Sequence, residues 1–533
     1  MKSMLKGFFC ITLLAVCGTV GSAKAKSCED ECSGQETVCP VDCPKEKGNV
    51  YGHTFWNARP VHQNEARKMM GVEDKIHLFG KEEFYGVASV ALSFGETFKS
   101  KKIGEFFSFV PTGNRMTYGA NDTSDIYNVE FGTTSSGTIC FKPKIKNFIA
   151  DLDLFVGWDE FVCGLWTRIG IPINVTSWDF NIADVPNDTT TLATANYETG
   201  EVTISTTEVT PVVNANLREG FNGLAFGDVP ALQYARVCGK HTQTQVSGLV
   251  LDLGYDVIRR ERGHLALSLH FVAPTGTKPE ARWLFEPISG AAHMWELGGT
   301  VNTGYQLWEN CDGDQRVNVY FDAVVDHEFG STQRRTFSLL QPSTGLKNAG
   351  SQYFILKQFA ATDLVTPTGL ERAANITTTE VKVSCDVMAD LAIMLQYDRC
   401  NFSFGLGWEF WLRTREKLKC GPVFAALDDA AVKYAVKPAG LDSASGASTA
   451  TLASTIGTIV TDSTQTFLTS NDIDLCSALH PQAFSNKAFG FVGYNWKDCE
   501  WQPYILLGGE VEFGNDNKAA NEWFVDLKGG ISF

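Results

Sequence analysis

Apolar and polar residues alternate with a period of two over long stretches of the chain. In 148–158, Phe148, Ala150, Leu152, Leu154, Val156 and Trp158 fall on one face, and Ile149, Asp151, Asp153, Phe155 and Gly157 on the other. Leu249, Leu251, Leu253, Tyr255 and Val257 oppose Asp252 and Asp256; Phe402, Phe404, Leu406, Trp408 and Phe410 oppose Ser403 and Glu409. The same alternation recurs in 160–175, 264–274, 293–308, 316–329, 379–397, 485–496 and 501–513. Successive side chains of a strand point to opposite faces, so each segment predicts a strand with one apolar and one polar side. Several run to about ten residues or more, the length a tilted strand needs to cross a bilayer, against about 5–6 for strands of soluble sheets.

The connections alternate as well. Short ones follow residues 157, 257, 308, 397 and 496, and long ones fill 176–245, 275–292, 330–378 and 415–485. Trp158, Phe161, Tyr255, Trp308, Tyr397, Phe402, Trp496 and Trp501 flank the short turns, where an interfacial girdle belongs. The pattern predicts an all-β chain forming a single transmembrane antiparallel β-barrel over 84–533. It has about fourteen strands (range about 12–18), long external loops and short periplasmic turns. The less regular segments 84–98, 104–110, 125–133, 138–157 and 523–533 supply the remaining strands. A soluble β-sandwich also alternates, but gives no reason for long strands or for short and long connections in turn.

Ahead of the barrel, Lys2 and Lys6, the apolar run Phe8–Val20 and the site Ala23-Lys24-Ala25 form a signal peptide over 1–25. Residues 26–83 are expected as a cysteine-containing periplasmic segment or a small plug, with a helix near Asn64–Met70. The Ser/Thr/Ala/Gly-rich stretch Leu441–Ser463 is expected in an external loop.

The faces turned to the lumen set the chemistry. Asp151, Asp153, Asp252, Asp256, Glu296, Asp322, Asp326, Asp386, Asp390, Glu409, Glu510 and Glu512 are candidate pore residues, with Glu130, Glu328 and Asp526 beside them. The basic candidates are only Arg168, Lys382, Arg413 and Lys528. Such a lumen concentrates cations. The expectation is a porin-like channel for small hydrophilic solutes, cation-preferring and set in outer-membrane lipid. An inward-folded loop from 176–245 or 330–378 would narrow it, and the bulky Phe155, Trp166, Tyr320, Met388 and Trp411 would fill it. Two other classes are an adhesin or disulfide-linked coat protein anchored by its barrel, and a hydrophobic-solute transporter with an N-terminal plug. The net charge of −16 excludes nucleic acid as a partner. The nine His residues occupy no catalytic or metal motif, so no enzyme activity, metal or cofactor is expected.

Beyond residue 25 the chain keeps thirteen of its 15 Cys. Oxidising compartments favour disulfides. Cys28, Cys32, Cys39 and Cys43 precede the barrel, and Cys311, Cys400 and Cys499 each fall in a short turn. The expectation is that the first group links to these turns, to other envelope proteins or to a second copy. Cys420 and Cys476 are expected to bridge one external loop, with Cys163 and Cys385 lipid-facing and unpaired.

In the last segment Trp523, Val525, Leu527, Ile531 and Phe533 share a face. With its signal peptide and hairpins, the chain resembles Gram-negative outer-membrane β-barrel proteins. Their last strand ends in an aromatic residue that serves as an assembly signal, a role the resemblance assigns to Phe533. In its cysteine content the chain is similar to the chlamydial major outer membrane proteins, which implies a solute-conducting barrel in a cross-linked envelope.

Overall fold

A computed structural model describes residues 43–81, 83–111, 113–118, 137–186, 217–225, 229–341, 345–435, 467–497, 499 and 501–533. The signal peptide, Cys28, Cys32, Cys39, Glu130, the 125–133 segment and Leu441–Ser463 lie outside them.

Twelve strands close into a barrel: β1 (Tyr85–Thr97), β2 (Lys144–Gly157), β3 (Leu165–Asp179), β4 (Leu249–Arg260), β5 (Gly263–Ala273), β6 (Glu296–Glu309), β7 (Gln315–Thr336), β8 (Thr378–Arg399), β9 (Phe402–Arg413), β10 (Ala483–Asn495), β11 (Gln502–Gly514) and β12 (Glu522–Ser532). Each pairs antiparallel with its chain neighbour, and β1 pairs with β12 from Val87↔Ser532 to Thr97↔Glu522 to shut the ring. Closure leaves no strand edge unpaired, as lipid requires of a spanning sheet. Two further strands of the same sheet lie outside the ring. Lys240–Val246 pairs with the far end of β3, and Glu416–Leu418 with β8.

The expected segment 138–157 divides, because Pro143 interrupts it between Gly137–Phe141 and β2. The segment 104–110 is not a strand; the helix Ser100–Phe106 covers its start and buries Ile103 and Phe106. The wall therefore has twelve strands, at the low end of the expected range.

Every wall strand exposes a large apolar side chain outward. Examples around the ring are Leu92, Leu152, Ile169, Leu251, Leu269, Leu297, Phe321, Ile393, Leu406, Val492, Leu507 and Leu527. This continuous belt is the surface of a membrane-spanning barrel. At the short-turn end Phe84 packs on Trp158 and Phe533 at centroid distances of 5.5 and 5.8 Å, and Trp501 lies 6.3 Å from Phe533. Phe533 also exchanges backbone hydrogen bonds with Gly86 at 2.9 and 3.0 Å. Any side chain on Gly86 would collide with the Phe155 carbonyl oxygen at 2.5 Å. Replacing Leu253 by Arg is expected to cost about 2–4 kcal/mol if it sits near the bilayer midplane; urea titration of the barrel folded in lipid measures it.

Register irregularities change which residues face inward. Between β7 and β8 the pairing steps from Asp326↔Met388 to Glu328↔Cys385 and then to Ser331↔Val383. The extra residue in β8 flips its parity, so Val381, Val383 and Cys385 are buried. Lys382 and Asp386, expected in the lumen, instead turn outward, and Asp386 pairs with Lys417 at 2.5 Å. For the same reason Cys385 does not face lipid. Cys163 is exposed in the turn between β2 and β3 rather than on a strand.

The long connections form a cap above one barrel end. Its core joins Phe106, Phe107, Phe141, Phe180, Phe221, Phe285, Tyr353, Phe424 and Leu479, drawn from five connections, with Trp178 from the end of β3 and Phe55 and Trp56 from the N-terminal segment. The described parts of 176–245 and 330–378 thus build the cap, where an inward-folded loop had been expected.

Candidate functional site: the occupied lumen

The N-terminal segment passes through the barrel. At the long-loop end, Val50 N donates to Asn517 Oδ1 at 2.8 Å. Gly52 N donates to the Ser108 carbonyl and Thr54 N to that of Ser477, each at 2.8 Å. At the other end the chain emerges at Phe84, beside the short turn after β2, and enters β1. Residues 26–83 had been expected in the periplasm or as a small plug. From Asn57 to His77 the chain fills the lumen, and its outer end sits with the long loops.

Cys43 is bonded to Cys476 in the connection before β10. The expected Cys420–Cys476 bridge is therefore not formed; Cys420 is itself disulfide-bonded. Cys311, Cys400 and Cys499 are exposed free thiols in short turns, at the end opposite Cys43. The expected link from Cys43 to those turns is excluded because the barrel's full height separates them.

Inside, the helix α1 (Glu65–Met69) occupies the place where the sequence suggested one. Asn64 caps it, accepting from Arg67 N at 2.9 Å while donating to Glu510 at 2.9 Å. Ala66, Met69, Met70, Val72 and Ile76 pack against the inward Val87, Phe155, Trp166, Tyr320, Met394, Phe489 and Leu506. Gly71, at φ +72°, brings the backbone so close to the wall that a Cβ would stand 2.3 Å from Leu506.

The polar contacts run the height of the lumen. The Arg59 guanidinium reaches Asp390 at 2.9 Å, Glu409 at 3.0 Å and Glu512 at 3.2 Å. His62 and Gln63 both meet Glu296 at 2.9 Å. Arg67 lies 3.6 Å from Asp151 and 3.8 Å from Asp526. His77 meets Asp256 at 2.6 Å, and Asn302 donates to Glu73 at 3.1 Å and to Asp322 at 2.5 Å. The wall's own cations hold backbone carbonyls of the segment. Lys528 donates to those of Arg67 and Lys68 at 2.9 and 3.1 Å. Arg168, paired with Asp153 at 2.7 Å, reaches Lys68 O at 3.2 Å. Arg413 donates to Asn57 O at 2.8 Å. Asp252 pairs with His270 of β5 at 2.5 Å, and the same ring lies 3.7 Å from Asp326.

Thus, of the candidate pore residues among the described residues, all but Lys382 and Asp386 lie on the inner side, and most of those carboxylates meet residues 59–77. Phe155, Trp166, Tyr320, Met388 and Trp411 are buried there as well. Two cavities left between segment and wall are about 20 Å³ each. Arg59 and Arg67, which had no place in the lumen reading, are counter-charges, and His62 and His77 are hydrogen-bond partners of Glu296 and Asp256. Among the described residues no group of His, Cys, Asp and Glu side chains is arranged to hold a metal ion.

Above the wall a cavity of about 250 Å³ opens among Glu46, His53, Arg415, Glu416, Lys417 and His480. Burial and the neighbouring Arg413 guanidinium push His480 well below the usual histidine range. Its Nδ1 lies 3.2 Å from Arg413 Nη2 and 2.9 Å from the Pro481 carbonyl oxygen.

These features define a membrane-spanning β-barrel whose lumen is occupied by its own N-terminal segment. No protein-family model matches the chain, and neither does any curated protein. Solved structures of similar shape include an outer membrane channel from Pseudomonas putida F1 (8% identity, 84% of this chain and 96% of that one, TM-score 0.33). Others are the translocator domain of the autotransporter NalP from Neisseria meningitidis (6%, 88% and 95%, 0.29) and a FadL homologue from Pseudomonas aeruginosa (6%, 92% and 98%, 0.25). At these scores the likeness adds nothing to what the strand pairing shows.

Proposed function

We propose that this protein is an outer-membrane channel held shut at rest by residues 57–77, and that displacing this segment opens a cation-preferring path. The supporting observation is the chemistry of the contact between segment and wall. A filling that served stability alone would be apolar, because buried ion pairs seldom recover their desolvation cost. Here the apolar packing of Ala66–Ile76 is joined by buried charge pairs that run the height of the lumen. Buried carboxylate oxygens of Asp326, Asp390, Glu510 and Asp526 lack a hydrogen-bond partner. A carboxylate-lined wall is what permeant cations require once the segment moves. It favours ions and polar solutes over apolar ones. The short turns then face the periplasm, and the cap faces outward.

A planar-bilayer recording under a KCl gradient tests this. The wild-type chain should open rarely. The full chain carrying Arg59→Ala, Arg67→Ala and Lys68→Ala should show discrete steps with a K⁺-favouring reversal potential. If that variant is folded as a barrel by circular dichroism and shows no steps, the channel reading is wrong. The second reading, a surface protein anchored by its barrel, would then lead. The loop-built core of the cap supports it.

A further inference from the structure

We propose that the ligand of this channel is an organic cation with a planar guanidinium-type head group, recognised where Arg59 rests in the closed state. The inference builds on the gated-channel reading. The site is made by the wall, and the segment only fills it. Asp390 of β8, Glu409 of β9 and Glu512 of β11 converge on one guanidinium. Nη2 is shared by Asp390 and Glu409, and Nη1 goes to Glu512. The Nε–H is taken by the Gln63 carbonyl of the segment itself at 2.7 Å. The Trp411 ring lies 5.8 Å from the guanidinium carbon.

Two features point to a ligand rather than to a structural ion pair. Asp390 is 1% exposed, yet its Oδ1 has no partner, so the site has capacity for a further donor beyond those Arg59 supplies. The charge is also unbalanced without Arg59. Lys487 stands 2.7 Å from Glu409, 2.9 Å from Glu510 and 3.7 Å from Glu512, and is the remaining wall cation in contact with them. With Arg59 withdrawn, Asp390, Glu409, Glu510 and Glu512 would share that single ammonium.

The geometry selects among cations. A guanidinium presents donors in a fixed plane that matches carboxylates at several points, is weakly hydrated and stacks on indole. An alkali ion or a primary ammonium has neither the fork nor the face. A free guanidinium compound reaching this site would compete with Arg59 and so favour release of the segment. The resting side chain thus acts as a tethered stand-in for the ligand.

The test uses methylguanidinium, with methylammonium and NaCl at equal ionic strength as controls, on the full Arg59→Ala chain folded in detergent. Millimolar methylguanidinium should raise the thermal midpoint toward the wild-type value, at a concentration at least about tenfold below that needed of methylammonium, as expected for one additional charge-assisted hydrogen bond. Adding Asp390→Asn and Glu512→Gln should abolish that preference. Equal responses to all three salts would overturn the proposal. A second measurement needs no variant: methylguanidinium should raise the open probability of the wild-type channel and methylammonium should not, and equal effects would again refute it. The two readings fail separately. Preferential binding without conductance leaves the site standing and removes the channel; conductance without preference does the reverse.

Discussion

Glu416→Leu is expected to destabilise the protein by about 3–5 kcal/mol, the usual cost of leaving a buried charge without its partner. Glu416 is 1% exposed and Arg335 is fully buried. The carboxylate accepts from Arg335 Nη1 and Nη2 at 3.2 and 3.3 Å, from Asn57 at 2.9 Å and from His480 N at 2.9 Å. Arg335 also donates to Ala478 O at 2.8 Å and lies over the Phe55 ring at 3.2 Å. This one group joins the N-terminal segment, β7 and the connection before β10. Losing it should loosen the cap before the wall. Protease should cut within 337–377 while the barrel keeps its strand signal, and urea titration should show the loss directly. The double variant Arg335→Met, Glu416→Leu should recover most of it, since two apolar side chains of similar volume need no counter-charge. If the double variant is no better than the single one, the damage comes from packing.

Cys476→Ser should have an effect of comparable size. Its bond to Cys43 spans a sequence separation of 433 residues, so the entropic contribution to stability lies near the upper end of the usual range, about 5 kcal/mol. Function should respond too. Without the bond, the outer end of the lumen segment is held by noncovalent contacts alone, among them the hydrogen bonds of Val50, Gly52 and Thr54, the contacts of Glu46 with Lys347 and Lys518, and the packing of Phe55 and Trp56. Trypsin should then cleave at Lys45 and Lys47 in the folded protein, and the time spent open in a bilayer should rise. The substitution leaves the Cys420 bond intact, which bulk reduction would not. Unchanged cleavage and unchanged gating would show that the noncovalent contacts suffice.

The barrel was legible because membrane and lumen impose opposite demands on neighbouring residues. Leu249, Leu251 and Leu253 against Asp252 and Asp256 admit one arrangement. That logic fails wherever a residue is inserted. At Asp386–Val387 the bulge is invisible to a period of two, so Lys382 and Asp386 were placed on the wrong side. It also fails where a short apolar spacing fits two structures. Ile103, Phe106 and Phe107 follow the i, i+3, i+4 spacing of the last turn and C-cap of the helix Ser100–Phe106, but the segment 104–110 fits the period of a strand as well. The side of the membrane reached by residues 43–57 could not be read, because periodicity says nothing of where a segment travels. A usable signal was present: Arg59, His62, Arg67, Lys68 and His77 form a basic run just ahead of an acid-lined barrel. Matching those charges would have pointed the segment inward.

The pairing of β1 with β12 brings Val87 beside Ser532, while residues 57–77, ahead of β1, already lie within the ring. The seam is therefore the strand pairing most distant in sequence, and it must shut around a strand-length of its own chain. Assembly becomes a matter of order. Either the wall curls about residues 57–77 and zips last, or a finished ring must be threaded against a lumen with little free space. The first route is far less obstructed. It makes the occupant a mandrel on which the final pair is set, so that variants of Arg59 or Arg67 should slow seam closure as well as loosen the finished barrel.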